Sequence, residues 1–97
     1  MSLFDQAKHV TDRESFFTFV QSLINDRVDE VTKENVHPSS PWGPGANGWE
    51  NGTIEAFLDA ALRWAEASQD REELDGLTRD PSWRSFAMFL FRGKVYE

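Results

Sequence analysis

A chain of 97 residues with 39% hydrophobic, 28% charged and 13% aromatic side chains, no cysteine and a formal net charge of −7 has the size of one compact domain. The lack of cysteine excludes a disulfide framework, a thiolate zinc site and a thiol nucleophile. Acid is spread over the chain, with 4 basic against 7 acidic side chains in residues 1–49 (net −3) and 6 against 10 in residues 50–97 (net −4), which disfavours nucleic acid and anionic membranes as partners. Phe and Trp supply all but one of the aromatic residues, apolar weight that suits a packed core better than a disordered acidic tail. Asp5 and Asp12 break the N-terminal stretch where a secretory signal needs an apolar run, and no segment approaches the ~18 apolar residues of a membrane span. The expectation is a soluble, cytoplasmic protein.

In chain order, Ser2 and Asp5 predict a short opening helix with Leu3, Phe4 and Ala7 as its apolar contacts. Thr11, three residues before Glu14, reads as a capping box for a longer helix from about Asp12 to Arg27, extending at most to Val31. Its apolar stripe is Phe16, Phe19, Val20, Leu23 and Ile24. The stretch from Asn35 to Asn51, NVHPSSPWGPGANGWEN, holds three of the four prolines and reads as a loop, with Asn47 and Gly48 as a turn pair. Asn51 or Thr53 starts the next helix, with Ile54, Phe57, Leu58, Ala61, Leu62 and Ala65 as its expected buried stripe and Trp64 beside it. Residues 68–79 read as an acidic linker. Asp80 as N-cap and Pro81 at the first helical position then open a third main helix around the apolar run Phe86 to Phe91, with Gly93 at its C-terminal cap and Tyr96 able to fold back on the core if the helix runs further. The whole chain, 1–97, is thus expected to form one all-α domain. It is a small helical bundle of three main helices, a short N-terminal one and a long Pro/Gly/Trp loop, cored by Phe16, Phe19, Leu23, Phe57, Leu62, Trp83, Phe86 and Leu90.

No catalytic apparatus emerges. His9 and His37 lie 28 residues apart without a nucleophile elbow or a zinc helix motif, so each is expected in a surface or structural role. Glu72, Glu73 and Asp75 cluster without the calcium-loop pattern, and Gly43, Gly45 and Gly48 follow no strand and lack a P-loop lysine. No metal or cofactor is expected. Trp64 and Trp83 lie on apolar stripes and read as core. Trp42 and Trp49, in the loop, have two readings: lids on a small core, or anchors for a partner.

The segments WEN, FLDAALRW and PSWRSFA, with a closing VYE and an opening helix like RESFFTFVQSL, resemble an uncharacterised family of small bacterial helical proteins, a domain of unknown function. The resemblance spans nearly the whole chain and implies a bacterial helical domain with no activity to carry over; WGPGANG is longer than the loop of that pattern. The function expected is protein interaction, with Trp42, Trp49, Glu72, Glu73 and Asp75 as candidate partner-binding residues. The partner would be another protein with a basic surface, in one version a nuclease-like toxin that this chain neutralises as an immunity protein. Self-association is a third possibility, and the alternative from a different class is a small-molecule binder or enzyme with a pocket under the 42–49 loop.

Overall fold

The computed structural model describes residues 1–67 and 81–97, which form four helices. The helices are α1 (Leu3–Lys8), α2 (Arg13–Val36), α3 (Ile54–Ala67) and α4 (Trp83–Val95). The described residues contain no strand, and the architecture is a small all-α bundle. The expected acidic linker, with Glu72, Glu73 and Asp75, and the expected cap Asp80 lie outside the described residues.

Capping sets the helix starts. The Ser2 hydroxyl accepts from the Asp5 N–H at the head of α1, as its sequence suggests. On α2 the cap is Asp12 and not Thr11: the Asp12 carboxylate accepts from the Ser15 N–H, and the Ser15 hydroxyl takes the reciprocal bond from the Asp12 N–H. A serine at the third helical position thus does the work expected of Glu14, one residue further on. Thr53 caps α3 by accepting from the Ala56 N–H at 3.1 Å. On α4 the cap is Ser82, whose hydroxyl accepts from the Ser85 N–H, so Pro81 lies before the helix and not at its first position. Gly93 does not end α4 either. The helix runs through it to Val95, and Tyr96 closes it, half-buried against the core.

α4 is the central helix and packs on α3, α2 and α1, with its largest interface on α3. That interface forms between helices that bury small residues, Ala60 and Ala61 on α3 and Ser85, Ala87 and Gly93 on α4. A Cβ added at Gly93 would stand 2.8 Å from the Phe57 ring, so the missing side chain is what lets that ring lie on the α4 backbone. The buried core is Ala7, Val10, Phe19, Leu23, Trp49, Trp64, Ala87 and Met88, with Phe4, Phe16, Phe57, Leu90 and Phe91 half-buried around it.

Three residues expected in the core are exposed: Leu62, Trp83 and Phe86. The buried residues of α3 are Ala60, Ala61 and Trp64, a face rotated by roughly 80° from the expected stripe, which leaves Ile54, Leu58 and Leu62 on its open edge. Close approach of α3 to α4 favours small side chains between them and displaces bulky ones to the flanks. At the start of α4, Trp83 and Phe86 instead form an aromatic cluster with Phe16 and Phe17 of α2, with ring centroids 5.3–6.4 Å apart.

α2 outruns its expected end by nine residues beyond Arg27, and the loop accordingly begins at His37 rather than Asn35. The face that carries Phe16, Phe19 and Leu23 continues, at the same three- and four-residue spacing, through Asp26, Glu30 and Glu34. On this face the apolar signal stops at Leu23 while the helix does not, because what covers its second half is a loop that presents N–H groups.

Candidate functional site

The 37–53 loop folds back along the second half of α2, and three carboxylates one helical turn apart hold it. Glu34 bonds both shoulders of the loop tip. Its two oxygens accept from the Ser39 N–H and Ser39 hydroxyl at 2.6 Å and from the Ala46 N–H at 2.8 Å. Glu30, 1% exposed, accepts from the Asn47 and Trp49 N–H groups at 2.9 and 3.2 Å and from Arg27 at 2.6 Å. Asp26 accepts from the Trp49 indole N–H at 2.8 Å and from Lys94 at 2.7 Å, which ties the loop to the end of α4. The two buried charges of this site, Glu30 and Lys94, are each paired and hydrogen-bonded, the condition under which burial is tolerated.

Asparagines finish the attachment. The Asn47 side chain donates to the Asp26 carbonyl and to Asp29, and accepts from Lys33 at 2.8 Å. Asn51 donates to the Gly93 and Tyr96 carbonyls at 2.9 and 2.8 Å, satisfying groups at the C-terminal end of α4 that have no helical partner. Gly48, at φ 84°, sits in the left-handed region that its turn requires. The same hydrogen bonds lower two carboxyls below their ordinary values: Glu34 chiefly through the Ser39 hydroxyl and then the Ser39 N–H, and Asp29 chiefly through Asn47 and then Lys33.

The two loop tryptophans have opposite environments. Trp49 is buried against Phe57, with ring centroids 6.0 Å apart, and the Arg27 and Lys94 cations each lie 5.6 Å from its ring. Trp42 is 94% exposed at the tip. Its position is not slack: Pro41 and Pro44 flank it, the Gly43 N–H bonds the Ser40 carbonyl at 3.2 Å, and Glu34 pinches the shoulders on either side. His9 lies at the end of α1 with its Nδ1 2.6 Å from the Asp5 carbonyl, and His37 caps α2; both are exposed.

A groove of about 480 Å³ runs between α2 and α3. Leu23, Ile24 and Val28 line one wall, Ile54, Phe57 and Leu58 the other, and Trp49 and Arg27 also line it. Trp49 thus shares its lining while Trp42 does not. Sequence reasoning singled out the tryptophans and, in its alternative reading, a pocket under the 42–49 loop; it missed the carboxylate row and the α2 and α3 residues that line the groove. The signal for the row was present in the exact i+3 and i+4 continuation of the apolar stripe by Asp26, Glu30 and Glu34.

Among the described residues no group of three or more His, Asp or Glu side chains is placed to hold a metal ion, and no helix is long and apolar enough to cross a membrane. No curated protein and no solved structure matches the chain. A family model, a family of unknown function designated DUF7660, matches residues 12–97, which takes in α2, the loop, α3 and α4, and the chain belongs to that family.

Proposed function

We propose that this chain is a protein-interaction module that presents Trp42 to a partner. The observation that carries the reading is a fully exposed tryptophan on a loop tip whose shoulders are fixed by one carboxylate. Tryptophan supplies large contact area for few rotatable bonds and is enriched among the residues that dominate binding. A tip already held by Glu34 and bracketed by prolines loses little further freedom when it docks. The net charge of −7 favours a partner with a basic surface and a steered encounter. In its most specific form the partner is a nuclease-like toxin and the chain its immunity protein, acting in a bacterial cytoplasm.

The test is a paired capture from lysate with the wild-type chain and Trp42→Ala, at low and raised salt. The expected result is a protein retained by the wild type, lost from the variant and weakened by salt. An identical set of captured proteins on both baits would overturn the reading.

A further inference from the structure

We infer that the groove between α2 and α3 is a second docking surface, for an amphipathic helix with a basic flank. α2 and α3 each pack on α4 and scarcely touch each other, and the groove lies between them, bordered also by Trp49, Asn51, Gly52 and Thr53. Its rims carry large apolar side chains at helical repeats: Ile24 and Val28 on α2, four residues apart, and Ile54 and Leu58 on α3, also four apart, a row that exposed Leu62 continues one turn past the groove. Ile54 is 79% exposed and Val28 60%, beyond what the fold itself needs. From Ile54 to Leu62 the row runs about 12 Å, two turns of a partner helix that inserts anchors at i, i+4 and i+7.

The charges beside these rows select the occupant. On α3 the surface next to Ile54, Leu58 and Leu62 carries Glu55, Glu66 and Asp59, all exposed. Arg63, the one cation there, lies beyond them and is paired with Asp59 at 2.8 Å. On α2 the matching side is balanced: Gln21 and Asn25 are hydrogen-bonded to each other, Thr32 is uncharged, exposed Asp29 is paired with Lys33 at 2.9 Å, and Arg27, which lines the groove, is paired with Glu30 at 2.6 Å, so the unbalanced charge lies on the α3 side. The complement is a helix whose apolar stripe is bordered by Lys or Arg on the edge toward α3. A second copy of this chain is the poorer fit, because pairing would bring two acidic rows and two chains of −7 together.

This surface is separate from Trp42, and its test distinguishes the two. A labelled synthetic helical peptide with a leucine stripe flanked by lysines is titrated into the full chain by fluorescence anisotropy, alongside the same peptide with glutamates in place of the lysines. The lysine peptide should bind at least about tenfold more tightly than the glutamate peptide, and more weakly as salt rises. Val28→Glu and Leu58→Glu, both at exposed positions, should each cost the lysine peptide about tenfold or more in affinity with an unchanged circular dichroism spectrum, while Trp42→Ala leaves it unaltered. Equal binding of the two peptides, no saturable binding, or full binding to both glutamate variants overturns the proposal. So does a dimer by sedimentation that Val28→Glu dissolves, since a second copy would then be the occupant.

Discussion

The two halves of α2 turn the same face of one helix toward different materials. From Phe16 to Leu23 that face meets side chains of α4 and α1 and excludes water; beyond it, Asp26 binds the Trp49 indole N–H and Lys94, and Glu30 and Glu34 bind the backbone N–H groups of the loop one by one. The first half is held by non-directional burial and the second by directed, charge-assisted hydrogen bonds. A single helix can therefore be half core element and half template, and the template half fixes the loop that carries Trp42.

The comparison breaks or sharpens with substitutions on either side. Phe19→Ala, at a position with 0% exposure, should cost about 4 kcal/mol in urea unfolding. Glu30→Ala should cost about 3 kcal/mol, because it leaves Arg27 and two loop amides without their acceptor. Hydrogen exchange then separates the two variants. Glu30→Ala should expose the Asn47 and Trp49 amides to local opening, whereas Phe19→Ala should speed exchange only in step with global stability. A Glu30→Ala cost below about 1 kcal/mol would mean that the carboxylates do not hold the loop.

Acid should act on the second half through Glu34 and Asp29. Glu34 and Asp29 have carboxyls held below their ordinary values of 4.5 and 3.8. Their contribution to stability is complete above those values and is lost as pH falls through the lowered ones. Glu50 works in the opposite direction: burial, and then the neighbouring Glu97, push its carboxyl up, so protonating it on acidification favours the folded chain. Amide exchange at Ala46, followed between about pH 5 and pH 3 and corrected for intrinsic rates, should rise earlier than exchange at Phe19. Simultaneous rise at both sites would make the loop part of the core's cooperative unit. The smallest effect belongs to Trp42→Ala, which should alter thermal stability by less than about 0.5 kcal/mol. A larger loss would show the tip to be packed in solution.

Much of the fold was legible because local signals act locally. The Ser2 cap, the three long helical repeats and the Pro/Gly loop each follow from a few neighbouring residues, and Trp64 follows from its place beside Phe57. What was hidden depends on partners distant in sequence. Asp26, Glu30 and Glu34 look like a solvated acidic face unless the amides of residues 39–49 are known to lie on them. Leu62, Trp83 and Phe86 look like core because periodicity rewards size, whereas α3 and α4 meet where Ala60, Ala61, Ala87 and Gly93 are small enough to let backbones approach. Trp42 and Trp49 share a residue type and a loop; the indole bond to Asp26, the backbone bond to Glu30 and the packing on Phe57 belong to Trp49 alone, and each depends on a residue distant from the loop tip. Glu72, Glu73 and Asp75 lie outside the described residues.

The Glu34 pinch has a consequence for how the molecule can change. Glu34 grips the main chain at Ser39 and Ala46, and Glu30 grips it at Asn47 and Trp49, so residues 40–44 contribute no side chain to the attachment. Those five positions can be exchanged without touching the scaffold, as interchangeable tips are on a fixed handle. A set of chains that keeps the acidic row and varies only this segment would explore new specificities at nearly constant stability, which makes the tip a natural place for diversification and for grafting.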